Sequence, residues 1–373
     1  MTTTLPLAGV ETVPQPEETF EPFAFHLPPH LEAHAPPEAS GGHDRSDVRM
    51  LVSVGARPPV HARFTDLPSY LRAGDVLVVN ISGTLPAALD GSLADGTAVV
   101  VHFSNEVAAD HWVVELRTPG PGAVTTPFAG ATDGQVVALG GGGLIRLRTH
   151  LPGSTRLWHA TVRVPGRVGD FLGRYGRAIR YGYVPRAWPI AAYQTVFARR
   201  PGSAEMPSAS RPFTTDLVID LIAEGILVVP ITLHTGVSSL ERHERPYPER
   251  FEVPAETAQV LNMAKSGGRS SGRVIAAGTT TVRAVESAVG DDGLVHAGRG
   301  WTELLVTPGR GVRAVDGLLT GWHQPEATHL LMLEAVAGRR PLELAYPEAV
   351  AAGYRWHEFG DVHLLLPDED PDP

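Results

Sequence analysis

Val274-Ile275-Ala276-Ala277-Gly278-Thr279-Thr280-Thr281-Val282-Arg283-Ala284-Val285-Glu286-Ser287 is the run on which the fold turns. Its four leading apolar residues show no alternation and read as a strand buried on both faces. Gly278 permits a tight turn, a Thr can cap, and a helix follows. Free N–H groups and the dipole at such a helix start favour an anion. In an open α/β sheet this place lies at the carboxyl end of a strand, where ligands bind. The run therefore predicts a carboxylate or phosphate near Gly278, Thr279, Thr280 and Thr281, with Arg283 one turn in as its partner. An ordinary capped turn with a surface Arg has the same pattern.

Working outward, the alternation continues. Thr214 to Glu224 reads as a helix, Ile226 to Leu233 as a strand, Ala255 to Lys265 as a helix and Arg273 to Ala277 as a strand. Downstream come a helix from Thr281 to Val289, a strand from Thr302 to Thr307 and a helix from His329 to Ala337. Continuous apolar strands between helices predict an α/β fold with a mostly parallel sheet flanked by helices. Nearer the start, Asp66 to Leu71 reads as a helical turn feeding the strand Asp75 to Asn80. From there to about residue 165 the texture changes to short alternating segments such as Thr97 to Phe103, His111 to Leu116 and Leu144 to Leu147. Gly-rich turns separate them, among them the corner Gly140 to Gly143. This predicts a small antiparallel barrel or sandwich, inserted into the α/β domain or preceding it.

Of the 373 residues, 43% are hydrophobic and 19% charged, which excludes a wholly disordered chain. The absence of cysteine excludes disulfides, thiolate zinc sites, iron–sulfur clusters and a Cys nucleophile. No apolar run reaches about 18 residues, so no membrane span is expected. The opening lacks a basic start and an apolar stretch, so a cytoplasmic soluble protein is expected. The formal charge of -10 belongs to the two ends. Glu11, Glu17, Glu18, Glu21, Glu32 and Glu38 stand in an opening without Lys or Arg, and Asp368, Glu369, Asp370 and Asp372 close the chain. A neutral body argues against indiscriminate nucleic-acid binding and leaves room for a local Arg-lined groove.

A second candidate is the loop Asp316-Gly317-Leu318-Leu319-Thr320-Gly321-Trp322-His323-Gln324-Pro325. Trp322, His323 and Gln324 offer a stacking surface, a titratable group and an amide, a set that suits a heterocycle such as a nucleobase. A polar loop with a packed Trp is the alternative. His26, His30 and His34 have helical spacing, but the prolines among them argue against a metal site. Gly140 to Gly143 lacks the Lys-Ser/Thr of a phosphate loop. His234 and His243 flank an irregular Ser- and Arg-rich stretch.

Several motifs in order carry a resemblance. They are Gly74 to Asn80, Tyr193-Gln194-Thr195-Val196-Phe197, Pro201-Gly202, Thr232-Leu233-His234, Gly278 to Arg283 with Glu286-Ser287, Val315 to Thr320 with His323 and Pro325, and Phe359-Gly360-Asp361. From about residue 23 to 366 the chain resembles the S-adenosylmethionine:tRNA ribosyltransferase-isomerase family of queuosine biosynthesis. The resemblance implies an α/β catalytic domain (21–80 plus 166–366) interrupted by an inserted small antiparallel β-barrel (81–165), and the acidic, Pro-rich ends are expected to be mobile tails at 1–20 and 367–373. It implies S-adenosylmethionine as co-substrate and ribosyl donor, and no metal. The acceptor would be 7-aminomethyl-7-deazaguanine in a tRNA anticodon loop, with epoxyqueuosine, adenine and methionine as products. Asn80, His234, Gly278, Thr279, Thr280, Thr281, Arg283, Trp322 and Gln324 would bind substrate, with Trp322 or Trp301 stacking the base. The sulfonium acidifies C5′ of the donor, so Glu286 or Glu249 would act as general base with His323 assisting.

The chain departs from the family pattern in places. Ile81-Ser82-Gly83-Thr84 and Ala87-Ala88 stand where the family carries two arginines, and Pro212 stands where it has a His. Thr235-Gly236-Val237-Ser238-Ser239 replaces a Gly-rich stretch, and Pro246-Tyr247-Pro248-Glu249 keeps an acid but loses a His. Small residues cannot grip a phosphate or carboxylate bidentately. Two other readings stay open: a small-molecule acceptor, or nucleoside binding without catalysis.

Overall fold

Val76–Asn80 (β3) is buried along its whole length because it lies inside a nine-stranded sheet. The order across that sheet is β16 (Gly298–Thr302), β14 (Glu249–Val253), β13 (Leu227–His234), β3, β15 (Val274–Ala277), β17 (Gly317–Gly321), β18 (Val362–Leu366), β1 (Arg49–Val54) and β2 (Val60–Arg63). This computed structural model describes residues 23, 25–120, 124–237, 246–266, 272–325, 327 and 328–368. The tails expected at 1–20 and 367–373 lie outside the described residues apart from Pro367 and Asp368, and so does His243.

Strands β13, β3, β15 and β17 run parallel to one another, as do β18 and β1. Antiparallel pairs join β17 to β18 and form both edges. The continuous apolar runs are therefore the helix-covered centre, and the sheet as a whole is mixed. Successive side chains of a strand point to opposite faces. Val76, Val78, Val274 and Ala276 pack under α3 (Ala255–Ser266), α4 (Thr279–Ser287), α5 (His329–Ala337) and α6 (Arg339–Ala351). Leu77, Val79, Ile275 and Ala277 pack against α2 (Thr215–Ala223) and the 3-10 turn Phe64–Tyr70.

Two boundaries differ from expectation. The strand expected at Thr302 to Thr307 is β16, which ends at Thr302. Thr302 Oγ1 accepts from Leu304 N–H and Arg283 takes the Leu304 carbonyl, so the chain leaves the sheet edge there. Helix α4 starts at Thr279, because Gly278 itself is the cap residue and Thr281 Oγ1 donates to the Ala277 carbonyl.

Between β3 and α2 the chain builds a closed antiparallel barrel. Its ring is β11 (Leu157–Arg163), β10 (Gly143–His150), β9 (Val136–Leu139), β5 (Ala88–Ser92), β6 (Ala98–Ala108) and β7 (His111–Pro119), shut by the β7–β11 pairing. β8 (Thr125–Pro127) extends β7. Closure removes the sheet edges that a sandwich would expose. The glycine corner turns β9 into β10, and a Cβ at Gly141 (φ 78°) would sit 2.6 Å from the Tyr175 ring. Tyr175 ends α1 (Val168–Tyr175), whose Val168, Phe171 and Leu172 join the barrel core. A short parallel ribbon, β4 (Ser82–Thr84) with β12 (Arg200–Ser203), links barrel and sheet. Among the described residues no helix is long and apolar enough to cross a membrane.

Candidate active site

Gly278 ends β15 at φ 98°, ψ 150°, a conformation that only glycine adopts without strain. It delivers the start of α4 to the carboxyl end of the parallel strands, and two adjoining cavities open there. The larger holds about 360 Å³ and the smaller about 80 Å³; Thr235, Thr279, Thr280, Thr328 and His329 line both.

Aromatic rings wall the larger cavity. Tyr183 and His357 stack with centroids 3.9 Å apart and planes 12° apart, and Tyr181 lies beside Tyr183 at 5.8 Å and 22°. His357 sits at φ 74°, the one non-glycine residue at positive φ among those described, and its Nε2 lies 3.3 Å from Glu32. Such an outlier at a cavity wall is a sign of functional constraint. Tyr183 donates to Glu358 at 2.5 Å, and Tyr181 donates to Glu205. Burial first, then the Glu358 charge, raises the Tyr183 pKa; burial raises that of Glu358. Two carboxylates and no Lys or Arg line this cavity among the described residues. Flat rings edged by carboxylates suit a heterocycle carrying a cation.

The smaller cavity is lined by Glu249, Arg283 and Tyr247. Arg283 donates to the Leu304 carbonyl at 3.1 Å, the Thr302 carbonyl at 3.3 Å and the Glu249 carboxylate. Glu249 also accepts from Gly236 N–H at 2.9 Å. Arg283 is thus neither a surface residue nor a free anion clamp. It fixes Glu249 against α4. His329, on the wall shared with the larger cavity, stacks at 4.6 Å and 6° on His323, which lines the larger cavity alone and whose Nε2 lies 2.9 Å from Thr320 Oγ1. Burial lowers the His329 pKa to about 4 and that of His323 well below 6.5, so both imidazoles are neutral near pH 7.

Gly278, Thr279, Thr280, His323 and the exposed Gln324 come together at the larger cavity, and Glu249 and Arg283 at the smaller. Other predicted residues lie apart from the cavities or have their polar groups engaged. Glu286, two turns along α4 and roughly 10 Å from its start, is fully buried and lines neither cavity. It accepts from Arg310 at 3.1 Å and from the N–H groups of Arg313 and Ala314 at 2.9 Å, which makes it a loop anchor. Asn80 is likewise buried, its amide exchanging bonds with Leu233 N–H and C=O at 3.1 and 2.9 Å, so it ties β3 to β13. His234 is held 2.8 Å from Ser82 Oγ, in the ribbon where the sequence departs from the family pattern. Thr281 spends its hydroxyl on Ala277. Trp322 borders the larger cavity but its indole is core, stacked on His363 at 4.8 Å and packed against Tyr346 and Trp356. Trp301 lies on edge strand β16. Among the rings that do line the larger cavity, Tyr183 and His357 form the closest stacked pair.

The family model for queuosine biosynthesis proteins matches residues 20–365. The chain belongs to that family. A relative from Methylocella silvestris named S-adenosylmethionine:tRNA ribosyltransferase-isomerase is 37% identical over 92% of this chain and 97% of its own. One of the same name from Dechloromonas aromatica is 33% identical over 93% and 96%. A crystal structure of an S-adenosylmethionine tRNA ribosyltransferase from Thermotoga maritima matches with a TM-score of 0.50 and 24% identity, over 92% of this chain and 99% of that one. That likeness concerns the fold alone.

Tyr181, Tyr183, Glu205, His329, His357 and Glu358 are not among the sequence candidates, and Tyr193 enters there only through a family motif. They come from the segment after the barrel, from α5 and from the turn before β18. The one local signal was the pair Tyr181-Gly182-Tyr183. Among the described residues no group of three or more His, Asp or Glu is placed to hold a metal ion.

Proposed function

We propose that this chain transfers and isomerises the ribosyl moiety of S-adenosylmethionine onto 7-aminomethyl-7-deazaguanine in tRNA, giving epoxyqueuosine and releasing adenine and methionine. The observation that carries the reading is family membership along nearly the whole chain, joined to a cleft at the carboxyl ends of its parallel strands. The cleft chemistry supports it. Stacked Tyr183 and His357 offer a face for a purine, and Glu205 and Glu358 offer negative charge to the sulfonium or ammonium of the donor. With Glu286 committed to its loop, proton removal at the sulfonium-activated C5′ falls to Glu249, and neutral His329 and His323 stand on the adjoining wall.

The test is chromatographic. Purified protein is incubated with S-adenosylmethionine, with and without tRNA bearing the deazaguanine, and scored for adenine and methionine. The expected result is stoichiometric release of both only when that tRNA is present. Release that ignores the tRNA, or binding of S-adenosylmethionine with no turnover, overturns the proposal.

A further inference from the structure

The chain has a net charge of -10, yet residues 134–204 carry eleven arginines against a single acid, Asp170. Arg156 pairs with Glu115, Arg177 with Asp90 and Arg200 with Glu252. Arg146, Arg148, Arg163, Arg167 and Arg174 are exposed and make no ion pair among the described residues.

Strand register gathers them. Residues i and i+2 of a strand share a face, as do residues directly opposed across an antiparallel pair. Leu144 opposes Arg163 and Arg146 opposes Thr161, so Arg146, Arg148 and Arg163 stand together on the outside of β10–β11. Ile145, Leu147 and Val162 point inward and fill the barrel. Arg146 and Arg148 are about 7 Å apart along the strand. Arg148 Nε donates to Thr161 Oγ1 at 3.1 Å and Arg146 Nη1 to the Gly134 carbonyl at 3.3 Å, which steadies both heads and leaves other donors on each. Arg167 caps α1 and Arg174 lies in its last turn, continuing the basic surface past the end of β11. Asp170 stands on α1 itself, and Asp110 and Asp133 sit in turns.

The opposite end of β10–β11 reaches the site. Leu151 and Leu157 of its hairpin pack on Tyr247, which lines the smaller cavity. Among the described residues the larger cavity has no Lys or Arg in its lining, which directs the search for phosphate contacts outside it. Resting on the function proposed above, we infer that the outer face of β10–β11 and the flanking α1 form a track for tRNA phosphates. It holds a stem of the tRNA while the target base enters the cleft. Contacts of this kind supply affinity and register but no sequence information.

The experiment combines Arg146→Ala, Arg148→Ala and Arg163→Ala in the full chain. A control variant removes three exposed arginines elsewhere, Arg57, Arg63 and Arg340. Binding to tRNA is measured against salt, and adenine release against tRNA concentration. Each lost phosphate contact lowers the slope of log K on log salt by about 0.7 to 0.9. The track variant is expected to lose about 2 to 3 from that slope and to raise KM for tRNA at least tenfold. Its kcat at saturating tRNA and its affinity for S-adenosylmethionine stay at wild-type levels, which also reports an intact fold, and the control behaves as wild type. Wild-type turnover on tRNA with an unchanged slope and KM in the track variant overturns the track alone. Equal losses in the control overturn it as well. A wild-type chain that neither binds nor turns over tRNA overturns both the track and the function on which it rests.

Discussion

Replacing Glu286 separates a loop anchor from a catalytic base. Its carboxylate accepts from the N–H groups of Arg313 and Ala314 at 2.9 Å and from Arg310 at 3.1 Å, and it is 1% exposed. Glu286→Ala takes this acceptor from three backbone donors, the N–H groups of Arg313, Ala314 and Val315, and from a guanidinium. A buried donor left unpaired costs roughly 1–3 kcal/mol, and breaking a buried ion pair about 3–5 kcal/mol. These costs overlap because the groups share one partner, so the expected loss is about 3–5 kcal/mol. That is a large part of the ~5–15 kcal/mol that holds a typical domain. Glu286→Gln keeps the shape and one acceptor but turns an amide N–H₂ toward the donors, and is expected to cost about half as much. The assay is urea unfolding of each variant, paired with adenine release at a temperature where the variant is folded. The anchor predicts a lowered unfolding free energy and a kcat within about threefold of wild type for Glu286→Gln. Wild-type stability with a kcat loss of 100-fold or more would refute it.

Three further outcomes are expected. Gly278→Ala forces a side chain into a glycine-only conformation, at about 1–3 kcal/mol, and displaces the start of α4; calorimetry should show the loss of stability together with a raised KM for S-adenosylmethionine. Tyr183→Ala and His357→Ala each remove half of the stacked pair, worth about 0.5–1.5 kcal/mol, so donor affinity by titration calorimetry should fall three- to tenfold; unchanged affinity would count against a nucleoside there. Burial lowers the pKa of His102 and His363 to about 3, against 6.5 when exposed. From pH 6.5 down towards 3 the unfolded chain binds protons that the folded chain refuses, so stability present above pH 6.5 is lost as pH falls. Two such protons give a slope of about 2.7 kcal/mol per pH unit near pH 5, and His363→Asn should flatten it in pH-dependent urea unfolding.

The α/β alternation, the change of texture near residue 81 and the turn at Gly278 were legible because each rests on local chemistry. An unbroken apolar run needs cover on both faces, and a φ of 98° needs glycine. Chain order also put Thr279, Thr280, His323 and Glu249 among the candidates, and all four line a cavity. Sequence could not tell which polar side chains were already spent. Asn80, Glu286 and Thr281 look like site residues by type, and only the fold shows their polar groups engaged by Leu233, by the 310–314 loop and by the Ala277 carbonyl. Trp322 looked like a stacking surface until folding buried it against His363. The rings that do face the cleft, Tyr183 and His357, are 174 residues apart and meet only when the strand-and-return path closes. Hydrophobic periodicity and turn chemistry are written along the chain. Whether a polar group is satisfied or available depends on distant neighbours, and tertiary packing alone supplies them.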